Sequence, residues 1–213
     1  MFYAIGALFL FTFGLVNIGT AYILRNIASG EPVFVWSDFF YAIKRNLKQG
    51  FFLGLIDFIF VAVLVSDYIF FFEKTGSYLN DVMYFMVFAL SIIYCIMRFY
   101  IYQLLITFKL SNFKILKNSL IFSILGIKRN IIALLSLVLF VALHAVVIVM
   151  FLSIGISIPL VLPIFYAMSI VGFISTYAAY PIIDKYMIAP YASNEQSDSS
   201  DDLIEGASES VEE

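Results

Sequence analysis

The chain has 213 residues, 63% of them hydrophobic and 13% charged, with a formal net charge of −3. Soluble domains carry roughly 45–50% apolar and about 25% charged residues, so a globule of this size has no interior large enough for the excess. That excludes an ordinary cytosolic enzyme, a disulfide-stapled secreted scaffold and a nucleic-acid-binding domain, and leaves an all-α integral membrane protein.

The periodicity predicts five transmembrane helices and two amphipathic helices. The first apolar run, 2–24, has one span's length, since ~20 residues at 1.5 Å each cross a ~30 Å hydrocarbon core. It lacks a basic start and a small-residue cleavage site, so it reads as a retained span rather than a signal peptide. Arg25 closes it, and Gly30 and Pro32 mark a turn. Over 33–49, Trp36, Phe39, Phe40, Ile43 and Leu47 recur at helical spacing among Lys44, Arg45 and Lys48. This pattern predicts an interfacial amphipathic helix with a basic rim, capped by Ser37 or Asp38.

Spans two and three cover 51–72 and 82–108, joined by a short polar loop. A second amphipathic helix follows over 111–129, with Ser111 as its cap. Phe113, Leu116, Leu120, Ile124 and Ile127 form its apolar side, and Lys114, Lys117, Lys128 and Arg129 its basic side. Span four is 131–152 and span five 158–180, with Pro159 and Pro163 in the first turns and Pro181 at the exit. Together these form a helical transmembrane domain over 1–188. The remainder, 189–213, is too acidic and too poor in apolar residues to fold alone, and reads as a disordered cytoplasmic tail.

The negative charge belongs to that tail. Residues 191–213 hold eight acids and no base, which leaves seven acids against twelve bases elsewhere. Ten of the twelve bases flank the same ends of the predicted spans, Lys74 alone lies at the opposite ends, and Arg98 is inside a span. The bias predicts an outside N-terminus, with both amphipathic helices and the tail in the cytoplasm. The basic side chains Lys44, Arg45, Lys48, Lys114, Lys117, Lys128 and Arg129 are therefore candidate contacts for lipid headgroups.

An internal duplication is a further expectation. Ile43-Lys44-Arg45-Asn46 recurs 84 residues later as Ile127-Lys128-Arg129-Asn130, each copy ending a basic amphipathic helix before a pair of spans. Both copies face the same side, so the repeat would be parallel.

From Thr12 to Gly50 the sequence resembles the YesL family of small bacterial membrane proteins. The resemblance rests on Thr12-Phe13-Gly14, Gly19, Tyr22 to Asn26, Trp36, Asp38-Phe39-Phe40, and Lys44-Arg45-Asn46-Leu47-Lys48-Gln49. The family's usual proline near the Thr-x-Gly element has no counterpart among residues 1–31. The resemblance implies a bacterial plasma-membrane protein of unestablished activity, accessory to carbohydrate uptake and partnered by a permease or another membrane protein. It carries over no catalytic residue.

Ionisable groups inside spans are costly and raise a functional hypothesis by default. Asp57, Arg98 and Asn17 lie about 12–16 Å from the basic ends of their spans at 1.5 Å per residue. The expectation is an Asp57–Arg98 pair with Asn17 as a hydrogen-bond partner, either pinning three helices or lining a polar solute path. Asp67 and His144 fall in the opposite half, where a His–Asp pair would relay or sense protons. Gly50-x-x-x-Gly54 allows close helix approach, within the chain in preference to a dimer. Phe70, Phe71, Phe72, Phe99, Tyr100 and Tyr102 suit lipid-facing and interfacial belts. Cys95, the single cysteine, reads as a buried, inert thiol. No metal, cofactor or catalytic motif is present in the sequence, and no nucleic-acid partner is expected.

Overall fold

The computed structural model describes residues 2–74 and 76–191, and, within these, the side chains from Thr12 onward other than those of residues 164 and 165. It is helical throughout, with no strand among the described residues. The helices are α1 (Phe2–Ser29), α2 (Val35–Phe72), α3 (Tyr78–Thr107), α4 (Asn112–Leu125), α5 (Ile127–Ser153) and α6 (Pro163–Ile183). A 3₁₀ turn, Ile158–Leu160, precedes α6, and a π-turn, Asp184–Ile188, follows it. Among the described residues, four helical stretches are long and apolar enough to cross a membrane: Val35–Phe72, Tyr78–Thr107, Ile127–Ser153 and Tyr166–Tyr191. The described residues up to Tyr180 form one compact unit, and those from Pro181 to Tyr191 belong to another. In the second, Lys185 Nζ lies 5.1 Å from the Tyr186 ring centroid. The acidic tail beyond Tyr191 lies outside the described residues.

Several element boundaries differ from the sequence expectation. The amphipathic helix and span two follow one another within Val35–Phe72 as two helical segments meeting at a kink, and the break falls at Asn46 (φ −119°, ψ 18°) rather than after residue 49. The Asn46 side chain donates to Ala42 O at 3.0 Å. Its amide thereby competes with its own backbone N–H for the i−4 carbonyl, which is how such a residue bends a helix. The start is secured by Asp38, whose Oδ2 accepts the Phe34 N–H at 2.8 Å, while Ser37 lies inside the helix. In the second half the break falls at Gly126, so α4 stops at Leu125 and Ile127 to Asn130 open α5. The second copy of the four-residue match thus begins a long helix, whereas the first copy runs into a bend.

Pro181 does not end the last span. It sits inside α6, and helix continues through the π-turn to Tyr191. A proline at 181 offers no N–H to the carbonyl of Tyr177. That carbonyl accepts a hydrogen bond from Arg129 Nη1 at 3.4 Å instead.

Glycine decides how α1 meets α2. A Cβ on Gly14 would strike the carbonyl oxygen of Gly50 and come within 2.9 Å of Gly54 Cα. A Cβ on Gly54 would lie 2.6 Å from Gly14 Cα, so the two backbones touch. Gly19 is covered in the same way by the Phe39 ring. The Gly50/Gly54 pair therefore serves packing within the chain. Along the same seam Tyr22 packs on Tyr41 at 5.8 Å between centroids.

α3 is the central helix and packs against α1, α2 and α4. Phe99 to Ile106 are buried without interruption. This corrects the placement of Phe99, Tyr100 and Tyr102 on a lipid-facing belt. They are enclosed, and the Tyr100 hydroxyl donates to Asn130 Oδ1 at 2.8 Å. Asn130 in turn donates to Ser123 O at 2.9 Å and so ties α3, α4 and α5 together. Phe70 and Phe72 are exposed, as a belt requires.

Candidate functional site

The site grows from a four-residue rhythm on α3. Tyr94, Arg98 and Tyr102 are spaced i, i+4 and i+8, which aligns them on one helix face. All three converge on Asp57 of α2, a carboxylate with only 3% exposure. Tyr94 donates its hydroxyl to Asp57 Oδ1 at 2.6 Å, and Tyr102 donates to Oδ2 at 3.4 Å. Arg98 Nε lies 3.0 Å from Oδ1. That N–H is not aimed at the carboxylate, so the contact is an ion pair without a directed hydrogen bond. The expected Asp57–Arg98 pair is therefore present. The two tyrosines are additions that the sequence reading missed, although their spacing to Arg98 was the available signal.

Asn17 does not join the pair. Its amide donates to Phe13 O, the i−4 carbonyl of its own helix, at 2.8 Å. It shares a space with Arg98 instead. Both line a cavity of about 300 Å³ bounded by α1, α3, α5 and α6. Its polar wall is Asn17, Thr20, Arg98, Gln103, Ser175 and Thr176, and its apolar wall includes Phe13, Phe99, Leu137, Met168 and Val171. The Arg98 side chain is 35% exposed although its Nε is fully buried, so the exposed part is the remainder of the side chain. Arg98 Cζ lies 5.6 Å from the Phe13 ring centroid, which puts the guanidinium at the cavity wall. Cys95 also lines this cavity and is half-buried rather than sealed.

Gln103 was not anticipated. It is 3% exposed, and its Nε2 donates to Thr176 Oγ1 at 2.7 Å, joining α3 to α6. Its Oε1 is buried without a partner. Nothing in the local sequence marks it, because a glutamine in an apolar run becomes notable only once its neighbours are known. On the far side of the cavity, Gly172 brings α6 onto α1, since a Cβ there would lie 2.8 Å from Leu24 Cδ1.

Asp67 and His144 are not partners. His144 Nε2 lies 3.2 Å from Pro159 O, and its Nδ1 lies 2.6 Å from the Tyr166 hydroxyl. An Nε2–H tautomer satisfies both contacts, donating to the carbonyl and accepting from the phenol. The ring also stacks on Phe140 at 6.3 Å between centroids. The histidine thus pins α5 to α6 and the 3₁₀ turn. Asp67, on α2, makes no hydrogen bond or ion pair among the described residues.

Of the candidate headgroup contacts, Lys44, Arg45, Lys48, Lys114, Lys117 and Lys128 are exposed. Arg129 is half-buried and committed to Tyr177, through the carbonyl and through the ring at 5.6 Å. The apolar residues beside these bases stay uncovered: Trp36 is 78% exposed and Phe113 76%. Inward, these segments bury Ala42, Ile115 and Ser119.

Neither protein-family models, curated proteins nor solved structures yield a match to this chain.

Proposed function

We propose that this chain is a five-span protein of a bacterial plasma membrane, with its N-terminus outside, that binds a small solute in the cavity at Arg98. α1, 28 residues long, would be the fifth span. The basic segments at 35–45 and 112–125 would lie in the cytoplasmic interface, with Trp36 and Phe113 dipped toward the lipid and the lysines at the headgroups. The single observation that carries the solute reading is the state of Arg98. A dry, fully paired arginine would serve only to pin helices. This one is paired on one edge and open to a cavity on the other. An arginine at membrane depth bordering open space is the usual mark of a solute path.

The native cysteine tests this directly. Cys95 lines the cavity, so a small, charged, membrane-impermeant thiol reagent should modify it from one side of the membrane. Resistance from both sides would leave Arg98 a helix pin.

A second reading, accessory protein in carbohydrate uptake, rests on the YesL resemblance and gains support from α5. That helix buries only Asn130 and Ala133, which leaves most of its apolar surface for lipid or for a companion such as a permease. Co-purification of a permease from native membranes is its test.

A further inference from the structure

The donors and acceptors around Asp57 do not balance. The carboxylate receives two tyrosine hydroxyls besides its ionic contact with Arg98. Among the described residues, the guanidinium's polar contact is that one ion pair, through Nε, and it also lies over the Phe13 ring. Neither Nη1 nor Nη2 has an acceptor among the described residues, and Arg98 borders the cavity. A guanidinium presents paired N–H groups that match the two oxygens of a planar or tetrahedral oxyanion. The carboxylate's two hydroxyl donors spread its charge, so it offsets less of the field that Arg98 projects into the cavity. The same cavity has apolar lining from Leu137 of α5 and Met168 and Val171 of α6.

We infer that the cavity takes an amphiphile whose head is an oxyanion, with the head on the open edge of Arg98 and the chain along Leu137, Met168 and Val171. The inference rests on the solute-binding reading above and names the ligand class. A free carboxylate and an anionic lipid headgroup share this chemistry. Gln103 would add to the site, since rotating its amide lets Thr176 donate to Oε1 and frees the Nε2 donors.

The test uses the full chain in nanodiscs of phosphatidylcholine, with the rate of Cys95 modification as the readout. Decanoate should slow modification at least tenfold. Decanol, which has the same chain without the oxyanion, and acetate, which has the head without the chain, should each change it less than twofold. Arg98→Lys keeps the charge and loses the fork, and should cut about tenfold the ratio of unprotected to decanoate-protected rate, each protein being referred to its own unprotected rate. Protection already present in phosphatidylglycerol discs without decanoate would identify a lipid headgroup as the source, and protection only on adding decanoate a free amphiphile; both support the inference. Equal protection by decanol and decanoate, or none by decanoate, would overturn it and leave the cavity reading intact. An unreactive Cys95 in the free protein would overturn both.

Discussion

The seam between α1 and α2 and the whole of α5 are built from similar apolar residues and meet different fates. Along the seam, backbone touches backbone at Gly14 and Gly54, and a fully buried Ile18 fills the space over Gly50. Along α5, Leu135, Val138, Val141 and Val149 are each more than 60% exposed. The difference is set by small residues. Lipid tails are as apolar as leucine, so apolar character alone gives helices no reason to associate, and close packing must supply it. α1 and α2 carry glycines in register. α5 carries no glycine and is held by polar contacts at Asn130 and His144 instead.

The sharpest way to break this contrast is Gly14→Leu. The new side chain meets the backbone of α2, which cannot rotate away, so the cost should exceed ~3 kcal/mol and purified protein should lose its folded fraction in detergent. Survival of a normal unfolding transition would mean the seam is looser than its glycines indicate. Next is Arg98→Leu, which leaves Asp57 buried without its cation and should cost about 3 kcal/mol. Adding Asp57→Leu should recover most of that loss, whereas simple additivity in the double variant would show that the two charges are not coupled. Tyr94→Phe removes one charge-assisted hydrogen bond and should cost about 2 kcal/mol by thermal unfolding. The smallest effect belongs to α5: Val146→Ala, at a position 56% exposed, should shift stability by less than ~0.5 kcal/mol. A loss several times larger would reveal a partner or second copy packed on that helix in the purified protein.

Much of the architecture was legible beforehand, because hydrophobic period and length are local properties. The helices begin and end within a few residues of the expected spans, except where a side chain redirected the backbone. Asn46 sets the kink between the amphipathic segment and span two a few residues early, because its amide reaches Ala42 O. Pro181 fails to stop α6, and the carbonyl it leaves without a backbone donor is taken by an arginine 48 residues away. Neither event has a local signature. The Asp57–Arg98 pair was legible for a different reason: two opposite charges at similar depth in an apolar medium have few other ways to lower their cost.

By itself, the sequence determined that this is a multi-helix apolar protein with a basic body, an acidic end and two opposite charges, Asp57 and Arg98, at similar distances from the basic ends of their helices. Composition, period and charge count are additive along the chain and need no folding to be read. Only the tertiary structure decided that Tyr94 and Tyr102 attend Asp57, that Asn17 and Asp67 stand apart from their expected partners, and that Arg98 keeps one edge open to a cavity. Those outcomes depend on which helix faces meet, and glycines 36 and 40 residues apart in the chain settle that by letting two backbones touch.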